Sequence, residues 1–233
     1  MSYIDNGANI IIGDNRIYYC WGHDQFGETI YKEYDFHRTS QISAAKYLEA
    51  KLGPINANQE LIDYQIAKLS DGRFLSVCYR KENQVRLHAK DGTILRTLNM
   101  IKGHFGLGIY DIAVDSCDRI WIVCSTEHYI GQFDLLGREV FSFKGTKALE
   151  PGIFDTPESI TTYGESIFVT DLGNRRVAKI NTQSNEVTTY LNIAEGIYEF
   201  HRVGNHEIYK LYSGIYSSPK GVPPQGAQKR YLP

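Results

Sequence analysis

Three acidic residues stand at comparable places along the chain, each close to the end of an apolar, strand-like run. They are Asp24, Glu127 and Asp171. Two carboxyl groups on either side of a glycosidic bond can act as acid and base in its cleavage. Together with Asn174, such groups could instead bind Ca²⁺ through oxygen atoms. If the protein is an enzyme, these three acids are its candidate catalytic residues.

Aromatic, histidine and arginine side chains accompany these acids in the same segments. Aromatic and arginine side chains anchor protein–protein interfaces, although aromatic residues also fill the space between packed sheets. The candidate binding residues are Trp21, His23, Phe26, Tyr79, Arg80, His104, Phe105, His128, Tyr129, Phe154 and Arg175.

Motifs for nucleotides, metals and nucleophiles are missing from the sequence. It has no Walker loop, no His-Glu-x-x-His, no EF-hand loop and no Gly-x-Ser-x-Gly. Residues 103–108 have the wrong glycine order for a dinucleotide fingerprint, and the 7 histidines are scattered singly. We therefore expect no cofactor and no metal.

Repeated hairpins are the elements that must position these residues. A strand, a polar turn and a second strand recur five times, and the equivalent residues Arg16, Arg73, Arg119, Ser166 and Glu207 lie 57, 46, 47 and 41 residues apart. Further strand-like runs follow the middle copies. Four strands every 40–50 residues or so are typical of a β-propeller, in which sheets pack radially around an axis.

The fourth repeat resembles a known family. Residues 156–180 look like one NHL repeat, with Pro157, a turn at Gly164, an Ile-Phe-Val strand, Asp171 and an Asn-x-Arg-Val run ending in the next strand. The preceding unit, from residue 109 to residue 134, is similar to repeats of virginiamycin B lyase-type propellers. The resemblance implies a propeller fold, and it implies that Asp171 and Arg176 tie neighbouring strands together. It implies no particular activity, because these folds host many functions.

The sequence thus predicts an all-β, five-bladed propeller, with six blades as the alternative. Residues 1–218 would form one domain, and residues 219–233 a proline-rich tail. N-terminal residues would complete the short last blade. A helical insert is predicted near residues 40–52, with Ser40 as its N-cap and Gly53 and Pro54 ending it. This helix would be either a brace packed on one end of the propeller or a protrusion that binds a partner.

Composition limits the functional classes further. The net charge of -2 over 233 residues argues against broad binding to nucleic acid or anionic membranes. No apolar run approaches the ~18 residues of a membrane span, and the N-terminus lacks the pattern of a signal peptide. The 4 cysteines form no Cys-x-x-Cys motif, so reduced thiols and a cytoplasmic location are expected.

Two classes of function are consistent with this pattern. In a propeller, the loops after the second strand of each blade and the connections between blades surround a central funnel. The first hypothesis is a non-enzymatic, protein-binding propeller, for example an immunity-type inhibitor that blocks a cognate toxin. The alternative is an enzyme, a hydrolase or lyase acting on a carbohydrate or lactone through the three acids or a His–Glu pair in the funnel. A lectin with one sugar per blade is the third hypothesis.

Overall fold

The protein is a five-bladed β-propeller, as the sequence predicts, and its described residues contain one α-helix. The computed structural model describes residues 10–13, 16–23, 26, 28–34, 39–52, 65–78, 82–98, 100, 108–145 and 152–224. Within these residues the strands form five antiparallel sheets, four of four strands and one of three. In every sheet consecutive strands are neighbours, which is the order that short hairpin connections impose.

The first two blades flank the helix in sequence. Blade 1 comprises β1 (Ile11–Gly13), β2 (Arg16–His23), β3 (Thr29–Tyr34) and β4 (Thr39–Ile42). The helix, α1, spans Ala44–Leu52. Blade 2 comprises β5 (Gln65–Lys68), β6 (Phe74–Cys78), β7 (Glu82–His88) and β8 (Ile94–Leu98).

The remaining three blades follow at regular spacing. Blade 3 comprises β9 (Asp111–Val114), β10 (Ile120–Cys124), β11 (Tyr129–Phe133) and β12 (Glu139–Phe143). Blade 4 comprises β13 (Pro157–Tyr163), β14 (Ser166–Asp171), β15 (Arg176–Asn181) and β16 (Val187–Asn192). Blade 5 comprises β17 (Ile197–Val203), β18 (His206–Leu211) and β19 (Gly214–Pro219).

The core lies between the blades, because alternate residues of a strand point to opposite faces of its sheet. In β14, Ile167 and Val169 pack towards blade 3, whereas Phe168 packs towards blade 5. The first and last blades also share a core, in which Ile17 of blade 1 meets Ile208 of blade 5. The ring therefore closes through side-chain packing between its first and last sheets. The prediction that N-terminal residues complete blade 5 lies outside the described residues.

Helix α1 packs on a face of blade 1. Its Tyr47 ring lies 4.6 Å from that of Tyr31, and its Lys46 ammonium lies 2.7 Å from Glu33. These partners sit on the face of blade 1 opposite Ile17, so the helix is on the side away from blade 5. The helix therefore packs on the propeller through this sheet, and its use as a partner-binding protrusion stays a prediction.

The start of α1 also differs from the prediction. Ser40 lies in β4 opposite Glu33, so it cannot cap the helix. The residue that precedes the helix is Ser43, whose Oγ accepts a hydrogen bond from the Lys46 N–H at 3.2 Å. Gly53 and Pro54, the predicted end, lie outside the described residues.

We call the two ends of the propeller the mouth and the base. The mouth carries the loops after the second strand of each blade and the connections between blades. The base carries the other hairpin turns. At the base, the predicted domain boundary falls within β19, and Gly221 beyond it donates its N–H to Glu207 Oε2 at 2.9 Å. In the described part of the chain, no helix is long and apolar enough to cross a membrane.

Candidate functional site

The innermost strands of all five blades enclose a cavity of about 240 Å³ in the mouth half of the funnel. Its walls come from the beginnings of these strands, where the chain enters each blade from the mouth. The helix also contributes Lys51, so the insert reaches the funnel. The ionisable residues that line the cavity, apart from its tyrosines, are Lys51, Asp111, Glu158, Glu199, His201 and Lys210.

Glu199 makes polar contacts with three other residues. Its Oε1 lies 2.7 Å from Lys210 Nζ, while its Oε2 accepts the Ile10 N–H at 2.8 Å and lies 3.3 Å from His201 Nε2. Burial alone would raise the pKa of Glu199, but Lys210 and His201 outweigh it and lower the pKa to about 2. Glu199 is therefore an ionised group that also ties blade 5 to blade 1.

Asp111 links two other blades across the same cavity. Its Oδ2 accepts the N–H of Ile160 in blade 4 at 2.9 Å, and its Oδ1 accepts the N–H of Ile112 at 2.8 Å. Burial raises the pKa of Asp111 to about 7, against the effect of both N–H donors. The Glu199 charge adds to this rise, and the Lys51 charge opposes it.

Glu158 lines the cavity close to Tyr198. Its Oε1 accepts a hydrogen bond from Ser125 Oγ at 2.8 Å, and its Oε2 accepts none from the residues that the structure describes. Burial raises the pKa of Glu158, while Ser125 and Lys210 oppose the rise. Tyr198 lines the cavity and stacks on Tyr212, with ring centroids 6.3 Å apart and ring planes 28° apart.

Of the three acids predicted as catalytic, neither of the two that the structure describes, Glu127 and Asp171, lines the cavity. Asp171 is fully buried, and it accepts hydrogen bonds from Asp155 N, Asn174 Nδ2 and Arg176 Nε at 2.7–2.9 Å. These donors occupy both oxygens of the Asp171 carboxylate, which thereby holds two mouth loops and the start of β15 together. This agrees with the structural role that the family resemblance implies. The third acid, Asp24, lies outside the described residues.

Two predicted binding residues belong to the core instead. Phe154 is 1% exposed and packs edge-on against Phe143. Tyr129 is 2% exposed and donates its hydroxyl hydrogen to Glu139 Oε2 at 2.8 Å. They were expected at the surface because each adjoins a mouth loop. In the fold they fill space between and within blades, so no partner can reach them.

His128 is engaged in holding the loops of the mouth. Its Nδ1 accepts the Thr156 N–H at 3.0 Å, which joins the loop of blade 3 to the connection leading into blade 4. Its backbone is left-handed, with φ of 51°. The side chain therefore positions the mouth loops.

Other predicted binding residues are exposed or lie beyond description. Phe26 is 81% exposed, and Arg175 is also exposed. Trp21 and His23 lie in β2, but their side chains are outside the described part of the chain. Four more predicted residues lie outside the described residues altogether: Tyr79, Arg80, His104 and Phe105.

The sequence interpretation missed two exposed residues at the mouth. Tyr212 is 79% exposed in the loop after the second strand of blade 5, and Ile153 is 54% exposed in the connection between blades 3 and 4. Tyr212, like Phe26, lies in a loop that follows the second strand of its blade. In the sequence the fifth repeat looks short of strands, so this loop does not stand out there.

The cavity acids were also missed, although the repeat contains a signal for them. In four repeats, a polar residue of the innermost strand stands immediately before an apolar one, which is Ile66, Ile112, Ile160 or Phe200. The polar residues are Gln65, Asp111, Ser159 and Glu199, and all four line the cavity. When the repeats are compared from one residue earlier in each hairpin, these four cavity-lining residues stand at equivalent positions.

A buried Ser–His pair in blade 2 has the distance required of a nucleophile and its base. Ser76 Oγ lies 2.7 Å from His88 Nε2, and His88 Nδ1 lies 3.0 Å from the Gly92 carbonyl oxygen. Ser76 and His88 are 0% and 2% exposed, so no substrate reaches them. Burial lowers the pKa of His88, which keeps the ring neutral in the core.

Among the residues described above, no group of three or more His, Cys, Asp or Glu side chains could hold a metal ion. Cys117 and Cys124 are free thiols.

Comparison with known proteins shows the fold. No protein-family model and no curated protein matches the chain. Among solved structures, it is similar to a catalytically inactive virginiamycin B lyase from Staphylococcus aureus with quinupristin, at a TM-score of 0.58 and 11% identity, covering 95% of this chain and 85% of that one.

Two further structures are similar to the chain. A protein of unknown function from Bacteroides caccae has a TM-score of 0.55 at 12% identity, covering 94% of this chain and 81% of that one. A chain of a nidogen–laminin complex has a TM-score of 0.51 at 12% identity, covering 91% and 76%. These similarities confirm the resemblance to virginiamycin B lyase-like propellers at the level of the fold.

Proposed function

We propose that this protein is a non-enzymatic propeller that binds a partner protein at its mouth. The observation that carries the proposal is the exposure of three large apolar side chains, Phe26, Ile153 and Tyr212, on three separate loops of that end. Aromatic side chains at the centre of an interface supply much of its binding energy. The other exposed large apolar side chains lie on outer strands or at the base and are all aliphatic, so the mouth is distinguished by its two exposed aromatic rings, a side-chain type enriched at interfaces.

The loops at the mouth are held in place by polar contacts within and between them. Arg176, which is paired with Asp171, also donates to the Ile153 carbonyl oxygen at 2.7 Å. Ser213, next to Tyr212, donates its N–H to Glu195 at 2.9 Å. Loops fixed before binding lose less conformational entropy when a partner docks.

An immunity-type inhibitor is the specific form of this function that we propose. A rigid mouth with protruding apolar side chains is suited to cover the active site of another protein, such as a cognate toxin. One similar chain comes from a complex of two proteins, nidogen and laminin, which supports protein binding as a use of this fold. A cytoplasmic location stays a prediction of the sequence.

Affinity capture from cells of the source organism tests the proposal. The bait is the full chain, compared with a Phe26→Ser/Tyr212→Ser variant and with Leu95→Ser, which removes an apolar side chain 53% exposed on an outer strand of blade 2. We expect one protein to be retained by the wild type and by Leu95→Ser but lost from the mouth variant. Retention of the same protein by all three baits would contradict a mouth interface.

An enzyme of carbohydrates or lactones is the second candidate, and one observation favours it. Asp111, with a pKa of about 7, and Glu199, with a pKa of about 2, line the same cavity. Such a divergence separates a general acid from an ionised base. His201 beside Glu199 supplies the His–Glu pair that the sequence hypothesis required, and a similar fold serves virginiamycin B lyase.

Turnover of chromogenic glycosides and simple lactones tests the second candidate. If the cavity is catalytic, Glu199→Gln and His201→Gln should each reduce kcat by about a hundredfold or more, while Leu95→Ser leaves it unchanged. If no substrate of either class turns over, this candidate is rejected.

A further inference from the structure

We infer that the cavity receives a positively charged side chain, lysine or arginine, from the partner protein. This inference rests on the proposed function, because it assigns the chemistry of the partner that docks at the mouth.

The charges on the cavity wall give the first reason. Three carboxyl groups face two ammonium groups there. The Lys210 ammonium is committed to Glu199 at 2.7 Å, and the Lys51 charge acts on Asp111. Glu158 makes no ion pair with a described residue, although the Lys210 charge acts on it as well.

The position of Glu158 gives the second reason. Of the hydrogen bonds among described residues, it receives one, from Ser125 to Oε1, and its Oε2 is left to accept from a ligand. Tyr198 lines the cavity close to Glu158, and its ring stacks on that of Tyr212, which is 79% exposed. A carboxylate beside aromatic faces matches both a charge-assisted hydrogen bond and a cation–π contact.

The size of the cavity limits its occupant. At about 240 Å³, it is smaller than the roughly 300–1,000 Å³ of sites for drug-sized ligands. One long side chain entering from the mouth fits this volume better than an oligosaccharide does. An anionic group would instead meet the carboxyl group of Glu158.

Small analogues of one shape and different charge test the inference. The probes are n-butylammonium and n-butylguanidinium, with n-butanol as the neutral match and butyrate as the anionic match. Methyl glucoside represents a sugar. Binding is followed by NMR of the tyrosine ring signals, assigned with Tyr198→Phe and Tyr212→Phe variants.

We expect the two cations to bind and to shift the Tyr198 and Tyr212 signals. Glu158→Gln should weaken this binding by about tenfold or more, and Tyr212→Leu should weaken it severalfold. Glu165→Gln is the matched control, because it makes the same chemical change at an exposed acid of the base. It should bind as the wild type does.

Several outcomes would overturn the inference. Tighter binding of n-butanol, butyrate or methyl glucoside would assign the cavity to another chemistry, and undiminished cation binding by Glu158→Gln would remove the stated contact. Because Glu158 adjoins the core, the unfolding midpoint of its variant is measured alongside.

If the cations fail to bind but capture still depends on Phe26 and Tyr212, only this inference fails. If the cations bind and capture does not depend on the mouth, the proposed function fails instead.

Discussion

The base and the mouth of this propeller are joined by the same strands but are built from different loops. At the base, the turns repeat one design in which an aspartate pairs with a following arginine, as in Asp71–Arg73 and Asp134–Arg138, both at 2.7 Å. A glycine with positive φ, Gly72 or Gly137, completes each of these turns. The mouth loops differ from blade to blade and expose Phe26 and Tyr212. The base is regular where the fold needs stability, and the irregular mouth is where we propose that a partner binds.

Two acids of the base and two acids of the funnel have pKa shifts of opposite sign. At the base, backbone hydrogen bonds from Arg73 and Arg138 are the main cause of the lowered pKa values of Asp71 and Asp134. In the funnel, burial raises the pKa of Asp111 and of Glu158. The base acids are therefore held as anions by their turns, whereas these funnel acids are poorly solvated.

The largest effect that distinguishes the ends should come from a buried acid of the base. Asp115 is 3% exposed and accepts hydrogen bonds from Cys117 N, Arg119 Nε and Trp121 Nε1. Asp115→Ala leaves these donors without an acceptor, and we expect it to lower the free energy of unfolding by about 3–5 kcal/mol. Urea denaturation at pH 7 measures this loss.

Asp71→Ala is the matched control, because Asp71 occupies the equivalent turn of blade 2 at the surface. Exposed ion pairs contribute little to stability, so its unfolding midpoint should stay close to that of the wild type. Equal losses in the two variants would show that burial does not decide the strength of these turns.

A second effect should appear in the pH dependence of stability. Because the pKa of Asp111 rises from 3.8 to about 7 on folding, the folded state holds this proton more tightly. The contribution of Asp111 to stability is therefore greatest below pH 3.8 and is lost as the pH rises to about 7. Asp111→Asn should flatten the unfolding free energy over that window, measured by urea denaturation at pH 4, 5.5 and 7.

Asp134→Asn provides the contrasting variant for this measurement. The lowered pKa of Asp134 gives stability that is present above pH 3.8 and lost as the pH falls below it. Its replacement should therefore leave the slope between pH 4 and 7 unchanged. If the two variants alter the same window, the proposed difference in sign between the ends is wrong.

A smaller effect in the opposite direction should come from His88 in blade 2. Burial holds the pKa of His88 below its usual 6.5, so the neutral ring stabilises the fold above pH 6.5. This stability is lost as the pH falls from 6.5 through the lowered pKa of the folded state. His88→Gln should remove the loss between pH 7 and pH 5, as measured by thermal unfolding. An unchanged acid slope would contradict a neutral buried ring.

The base was largely predictable from sequence because its design is local. Alternating apolar residues define each strand, and turn residues such as Gly164 and Gly204 stand at positive φ between paired strands. Register follows from these short-range features. This is why the hairpins and the five-bladed closure could be predicted without a structure.

The funnel was harder to predict because its residues come from different blades. Asp111 and Glu199 act on each other electrostatically although 88 positions separate them in the sequence. A polar residue at the start of a strand looks the same whether it faces a cavity or solvent. Similarly, Tyr129 and Phe154 adjoin loops, and only packing between blades determines that they are buried.

The smallest effect on stability is expected at the most exposed part of the mouth. Tyr212 is 79% exposed, its backbone N–H is bonded to the Gly196 carbonyl oxygen, and its ring contacts Tyr198. Tyr212→Ser keeps the backbone bond and loses little buried area, so the unfolding midpoint should move by no more than that of Leu95→Ser on the outer strand. Partner capture should nevertheless be reduced by about tenfold or more, since interface anchors contribute at least about 1–2 kcal/mol. A large loss of stability in Tyr212→Ser would mean that this end also holds the fold together, and the separation of roles between mouth and base would then be incorrect.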